Sequence, residues 1–330
     1  MTQSEKPINE SLVKAAQHFN NGDLEKADFI CRSLLQSKPD NADALHMRSL
    51  IAFRGNRLDD SISLLKEACQ IRPDDPEFLT NLGNITKFNG DKVAARQFYE
   101  QSLAINPNNI VTLNNLALLM AEESDYSAAI GAYKRALDID SGVAELYFGL
   151  AVVYKAKGER EKAIASCLEA LKIRPEFADA NILIGNMLFE GDNFEQALVA
   201  YDNACKLNPN SAIAFNGVGI CQTSLGKYDQ AKQALLKAVQ LAPNLADAQN
   251  NLAMVHRILG EHEYALVCLK AALKLNPNYA VAWRNYGNVL ADQEKYKEAI
   301  VSYQMALQLE PDFQEAQIDL ASAQKMAIES

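Results

Sequence analysis

One spacing governs this chain. Pro39, Pro73, Pro107, Pro175, Pro209, Pro243, Pro277 and Pro311 are separated by 34 residues or a multiple of 34. Ser141 stands where the series would have its remaining member, and only Pro7 and Pro76 lie outside it. A fixed period in this range means stacked supersecondary units. Each is too small to bury a core alone and is completed by its neighbours.

Other positions keep the same register. Twelve residues before each proline-phase position stand Ala27, Ser61, Ala95, Ala129, Ala163, Ala197, Ala231, Ala265 and Ala299. Twelve residues earlier again come Ala15, Ser49, Gly83, Ala117, Ala151, Gly185, Gly219, Ala253 and Gly287. All eighteen are Gly, Ala or Ser, with large apolar residues such as Leu79, Leu82, Leu113, Leu116, Trp283 and Tyr286 between them. Tyr99, Tyr133, Tyr201 and Tyr303 share a further phase. The reason is steric: paired antiparallel helices approach closely only where small side chains meet and large ones fill the adjacent holes. Gly22, Gly90, Gly158, Gly226 and Gly260 fall at the turn between those helices, where a left-handed cap is expected. The proline closes the second helix, and Pro76 suits the first position of the next.

These constraints, repeated in nine units from Ile8 to Phe313 without insertion or deletion, closely resemble the tetratricopeptide repeat family. The resemblance implies an all-α fold, a right-handed α-α superhelix (solenoid) of helical hairpins whose first helices line a concave groove. Residues 1–7 read as an N-terminal leader, 8–313 as nine tandem repeats and 314–330 as a C-terminal capping helix. The cap keeps Leu320 and Ala321 in phase but puts Gln317 and Gln324 where large residues would pack, the pattern expected of a chain that ends there. The repeats are expected to form one solenoid without an internal boundary.

Composition narrows the function. A formal net charge of -10 repels phosphate backbones and anionic membrane surfaces, so neither nucleic acid nor membrane insertion is expected. The N-terminus has no apolar signal-peptide core, and the longest apolar run, Leu146 to Tyr154, falls far short of a span; a cytoplasmic location is expected. The six cysteines are scattered without a C-x-x-C pair and read as reduced thiols on helix faces. Gly217-Val-Gly219 lacks the third glycine of a dinucleotide fingerprint, Gly226-Lys227 lacks the rest of a phosphate loop, and His262-Glu263 lacks the second histidine of a zinc helix. No enzyme, metal site or cofactor is expected.

Function is therefore expected on the groove. The family's geometry implies that Asn81, Asn84, Asn114 and Asn115 face it, with a second carboxamide cluster at Asn250, Asn251, Asn285 and Asn288 beside Arg284. This is similar to the asparagine ladder that holds polypeptide in O-linked N-acetylglucosamine transferases, here interrupted at Gly149, Leu183 and Gly217. A carboxamide both donates and accepts, which suits the repeating N–H and C=O of a peptide. Between the clusters, Leu118, Phe148, Val152, Ile182, Leu183, Phe189 and Ile220 would set apolar side chains along the groove, and Gly149 and Gly217 would leave hollows. A clamp for terminal carboxylates is not expected: the positions that would need Lys or Arg carry Glu145 and Gly149, or Asp319. The reading is a non-catalytic scaffold or adaptor holding an extended or helical protein or peptide segment, or a second copy of itself. A substrate-recruiting arm of a glycosyltransferase or sulfotransferase, with its catalytic domain elsewhere, is one alternative; a self-assembling structural oligomer is the other.

Overall fold

The computed structural model describes the backbone of residues 5–329 and the side chains of residues 10–329. Its contacts group into two compact units, Met1–Ser166 and Cys167–Ser330. The first holds α1 (Glu5–Asn20), α2 (Leu24–Ser37), α3 (Ala42–Arg54), α4 (Leu58–Ile71), α5 (Pro76–Phe88), α6 (Lys92–Ile105), α7 (Ile110–Glu122), α8 (Tyr126–Ile139) and α9 (Ala144–Ala156). The division falls within α10 (Arg160–Ile173). The second unit continues with α11 (Ala178–Phe189), α12 (Phe194–Leu207), α13 (Ala212–Ser224), α14 (Tyr228–Leu241), α15 (Ala246–Ile258), α16 (His262–Leu275), α17 (Ala280–Asp292), α18 (Tyr296–Leu309) and α19 (Gln314–Glu329). No strand occurs among the described residues. The architecture is an all-α solenoid of helical hairpins.

The turn inside every hairpin has one geometry. Position 22 and each residue 34 further on, through 294, have positive φ, from 58° at Asn56 to 91° at Gly90. Five are the expected glycines; Asn56, Ser124, Asp192 and Glu294 adopt the same conformation with a side chain present. Asp23 N–H donates to His18 O at 2.9 Å and Gly22 N–H to Phe19 O at 3.0 Å, which closes two carbonyls the helix end would leave unpaired. Asp23 then caps α2 by accepting from Lys26 N–H, as Asp91 and Asp125 do for α6 and α8. One residue thus ends one helix and starts the next.

The second helices stop two residues short of each proline, because the residue before proline is pushed out of the helical region. Asp140, before Ser141, adopts φ -144 and ψ 105 all the same, and its carboxylate accepts from Gly142 N–H at 2.7 Å. Asn106, Asn208 and Asn276 make the same bond just before a proline, so the turn keeps its geometry at Ser141 without one.

Inside three of the hairpins a glycine of the small-residue phase meets a tyrosine. A Cβ built on Gly83 would lie 2.5 Å from the Tyr99 ring, on Gly185 2.8 Å from Tyr201, and on Gly287 2.6 Å from Tyr303. The fully buried rings explain the glycines: a flat aromatic ring lies directly on the opposing backbone. Ser49 and Ser61 replace this packing with a buried hydroxyl pair at 3.1 Å, and Ser61 also donates to Ser49 O. Within the units first helices also touch first helices, α5 with α7 and α7 with α9, then α11 with α13 and on to α17 with α19. Second helices make no comparable contact among the described residues, so the first helices form the tighter layer of each unit.

All six cysteines are free, and burial pushes the thiols up, Cys31 to about 11, Cys167 and Cys221 to about 12. Near neutral pH they are held in the neutral thiol form, the less nucleophilic one. Pro76 occupies the start of α5 as expected.

Candidate functional site

The first-helix carboxamides are bonded to one another. In the first unit Asn115 Nδ2 donates to Asn84 Oδ1 at 2.8 Å, and Asn114 Nδ2 approaches Asn115 Oδ1 at 3.5 Å. Asn81 Nδ2 lies 2.8 Å from His46 Nε2. Burial lowers the His46 pKa, so the ring is neutral near pH 7 and Nε2 accepts. In the second unit the run is longer and directional: Asn285 Nδ2 donates to Asn250 Oδ1 at 2.8 Å, Asn250 to Asn251 at 3.4 Å, and Asn251 to Asn216 at 3.0 Å. Asn250, Asn285 and Asn288 are buried; Asn81, Asn84, Asn114, Asn115 and Asn251 are half-buried. Neighbouring first helices bring positions 35 or 31 residues apart side by side, one off or three off the repeat register, and a carboxamide is the side chain that can both give to one neighbour and take from the other.

A second role was hidden in the sequence. The Tyr99 hydroxyl donates to Asn84 Oδ1 at 2.8 Å, Tyr201 to Asn186 Oδ1 at 2.6 Å, and Tyr303 to Asn288 Oδ1 at 2.8 Å. Each pair is 15 residues apart, a spacing the sequence carries and by which Asn186 could have been found. Asn84 and Asn288 therefore hold up the packing of the hairpin.

The apolar set divides. Leu118 and Val152, on α7 and α9, are 42% and 44% exposed. Phe148 on α9 and Leu183 on α11 are half-buried. Ile182, Phe189 and Ile220 pack partly against the core around Ala197, Tyr201, Val218 and Cys221, and the Phe189 ring meets Phe194 at 5.3 Å. The expected hollows are filled. A Cβ on Gly149 would lie 2.5 Å from the Tyr133 hydroxyl, and one on Gly217 2.4 Å from the Tyr201 ring. Both glycines make room for a second-helix tyrosine, which sequence position alone did not reveal.

Models of the tetratricopeptide repeat match residues 14–76, 76–109, 98–131, 120–186, 214–245, 246–279 and 280–313, and a TPR repeat model matches 185–221. The chain belongs to the tetratricopeptide repeat family. Its solved likenesses are similar in fold. A chain of the APC/C hetero-tetramer Cut9-Hcn1 superposes with TM-score 0.63 at 17% identity, over 91% of this chain and 59% of that one. The tetratricopeptide chain thus spans under two thirds of that relative's length. A tetratricopeptide repeat protein from Parabacteroides merdae ATCC 43184 gives 0.60 at 19%, over 76% and 98% of the two chains. Pseudomonas aeruginosa pilF gives 0.57 at 21%, over 64% and 97%.

In this tetratricopeptide chain the charged candidate on the first helices is already paired. Arg284 Nε donates to Asp319 Oδ2 at 2.6 Å, one repeat further on. No helix of the described residues is long and apolar enough to cross a membrane. Among the described residues no group of three or more His, Cys, Asp or Glu could hold a metal ion.

Proposed function

We propose that this tetratricopeptide chain is a non-catalytic protein-interaction scaffold that receives a polypeptide segment on the layer formed by its first helices. Membership of the family supports protein interaction in general. What carries the finer reading is the exposure of Leu118 and Val152 on adjacent first helices, beside the half-buried Asn84, Asn114 and Asn115. Exposed apolar side chains rimmed by carboxamides are a peptide-binding composition: the apolar groups supply desolvation, and the carboxamides meet main-chain polar groups. Each carboxamide bonded to its neighbour still has hydrogen-bonding capacity in reserve. One structural likeness belongs to a hetero-tetramer, an assembly made through partner chains.

The test is affinity capture with two separate double variants, Leu118→Glu/Val152→Glu in the first unit and Ile182→Glu/Leu183→Glu in the second. Circular dichroism checks that helix content is kept. Partners lost with either variant locate binding on that unit's first helices. Identical capture by wild type and both variants removes the first helices from consideration and points to the outer helices or the ends.

A further inference from the structure

The tyrosine phase contains one unsatisfied member. Tyr99, Tyr201 and Tyr303 each donate to an asparagine carboxamide oxygen 15 residues back. For Tyr133 the residue at that spacing is Leu118, which has no acceptor. Tyr133 is fully buried, and its hydroxyl has no hydrogen-bond partner among the described residues. Burial raises its pKa, so it stays a neutral O–H donor at any physiological pH. A buried donor without an acceptor is rare in folded proteins, so the groups around it are informative.

The surroundings say what would fit. The hydroxyl abuts Gly149 on α9, where even a Cβ would come within 2.5 Å of it, and Gly149 itself is only half-buried. Leu118, 15 residues before Tyr133, and Val152, three residues beyond Gly149 on α9, are 42% and 44% exposed. The donor is covered by the Gly149 backbone, and the position that carries asparagine at the sister sites carries Leu118 here. The sister sites supply a template: in all three the acceptor is a carboxamide oxygen.

We propose that Tyr133, Gly149 and Leu118 form a subsite for an asparagine or glutamine side chain of a bound polypeptide. Its carboxamide oxygen takes the place that Asn84, Asn186 and Asn288 fill internally. The Leu118 side chain swings aside and then packs on the methylenes of the incoming residue. A carboxamide on one or two methylenes reaches below the surface, whereas a main-chain carbonyl is held at the height of its own backbone. An ionised carboxylate is disfavoured, because the surroundings are apolar and offer it one neutral donor. The partner is thus an apolar segment with a single carboxamide set among its contacts. This assignment rests on the first-helix layer being the peptide-binding face.

The experiment uses short synthetic peptides of Leu and Ala with Lys at both ends, fluorescein-labelled, carrying Gln, Met or Glu at the centre. Binding to the full chain is read by fluorescence anisotropy. Wild type should favour Gln over Met by about fivefold to tenfold, the worth of one buried neutral hydrogen bond. Tyr133→Phe keeps the ring and should erase that preference, bringing the Gln peptide down to the affinity of the Met peptide. Leu118→Asn provides an internal acceptor and should erase it too. A Gln preference that persists in Tyr133→Phe overturns the subsite and leaves the peptide-binding face standing. Equal weakening of all three peptides in Tyr133→Phe overturns the carboxamide assignment in favour of a main-chain carbonyl. If wild type binds none of the peptides, or Leu118→Glu/Val152→Glu binds all of them as wild type does, the peptide-binding face itself falls.

Discussion

The Tyr303 hydroxyl donates to Asn288 Oδ1 at 2.8 Å across the hairpin of α17 and α18, with both residues buried. The ring packs against Gly287, and the asparagine one residue further along α17 meets its hydroxyl. Asn288→Ala should strand that hydroxyl and cost about 1–3 kcal/mol, whereas Tyr303→Phe leaves a carboxamide with other capacity and should cost less. Urea denaturation of the two single variants and the double checks this. The double should cost less than the sum of the singles.

Tyr133 gives the opposite expectation. Its hydroxyl has no partner to lose, so Tyr133→Phe should leave stability unchanged or raise it by up to about 1–2 kcal/mol. A clear loss of melting temperature in this variant would show that the hydroxyl is satisfied in solution.

Gly217 and Gly149 are held by contact with tyrosine. A Cβ at Gly217 would lie 2.4 Å from the Tyr201 ring, which is buried and also lies within 2.8 Å of a Cβ built on Gly185, so it has little room to move. Gly217→Ala should therefore destabilise the second unit by about 1–3 kcal/mol, despite the better helix propensity of alanine. Restored stability in Gly217→Ala/Tyr201→Leu would identify the ring as the cause.

The hairpin turns contain stored cost at known places. Ser124 and Glu294 hold φ near 60° with a side chain attached, where their register-mates Gly90 and Gly260 do so freely. Ser124→Gly and Glu294→Gly should each stabilise the chain, by up to about 1 kcal/mol. Gly90→Ala should destabilise it by a similar amount. Thermal melts of the three variants separate this from any effect of charge, because Ser124 carries none.

The repeat register was open to reading from the sequence because prolines, small residues and turn glycines are steric requirements that recur in place. Pro39 to Pro311 set the period, and Ala95, Ala129 and Ala163 mark each crossing. The site was less legible. Asn81, Asn84, Asn250 and Asn285 could be placed on the first helices, but their partners could not. A hydrogen bond between Asn250 and Asn285 or between Tyr99 and Asn84 depends on the depth and rotation of packed helices. The glycines misled for the same reason: Gly149 and Gly217 look like gaps until the second-helix tyrosines are in place.

His46 makes the folded chain sensitive to acid. Burial lowers its pKa below the ordinary value of 6.5, Glu77, Asp75 and Asp43 oppose that, and Arg72 adds to it. The neutral ring accepts from Asn81 Nδ2, and protonation of Nε2 would remove that acceptor. The sign follows from the depressed pKa. The unfolded chain takes up the proton first, so the stabilisation is complete above about pH 6.5 and is lost as pH falls from there towards the folded value. The slope cannot exceed about 1.4 kcal/mol per pH unit for one proton. Melting between neutral and mildly acidic pH should fall more steeply for wild type than for His46→Gln. Titration of the imidazole by NMR should place its midpoint below that of the unfolded chain; a midpoint at or above it would mean that Asn81 faces a charged ring and that the bond has another polarity.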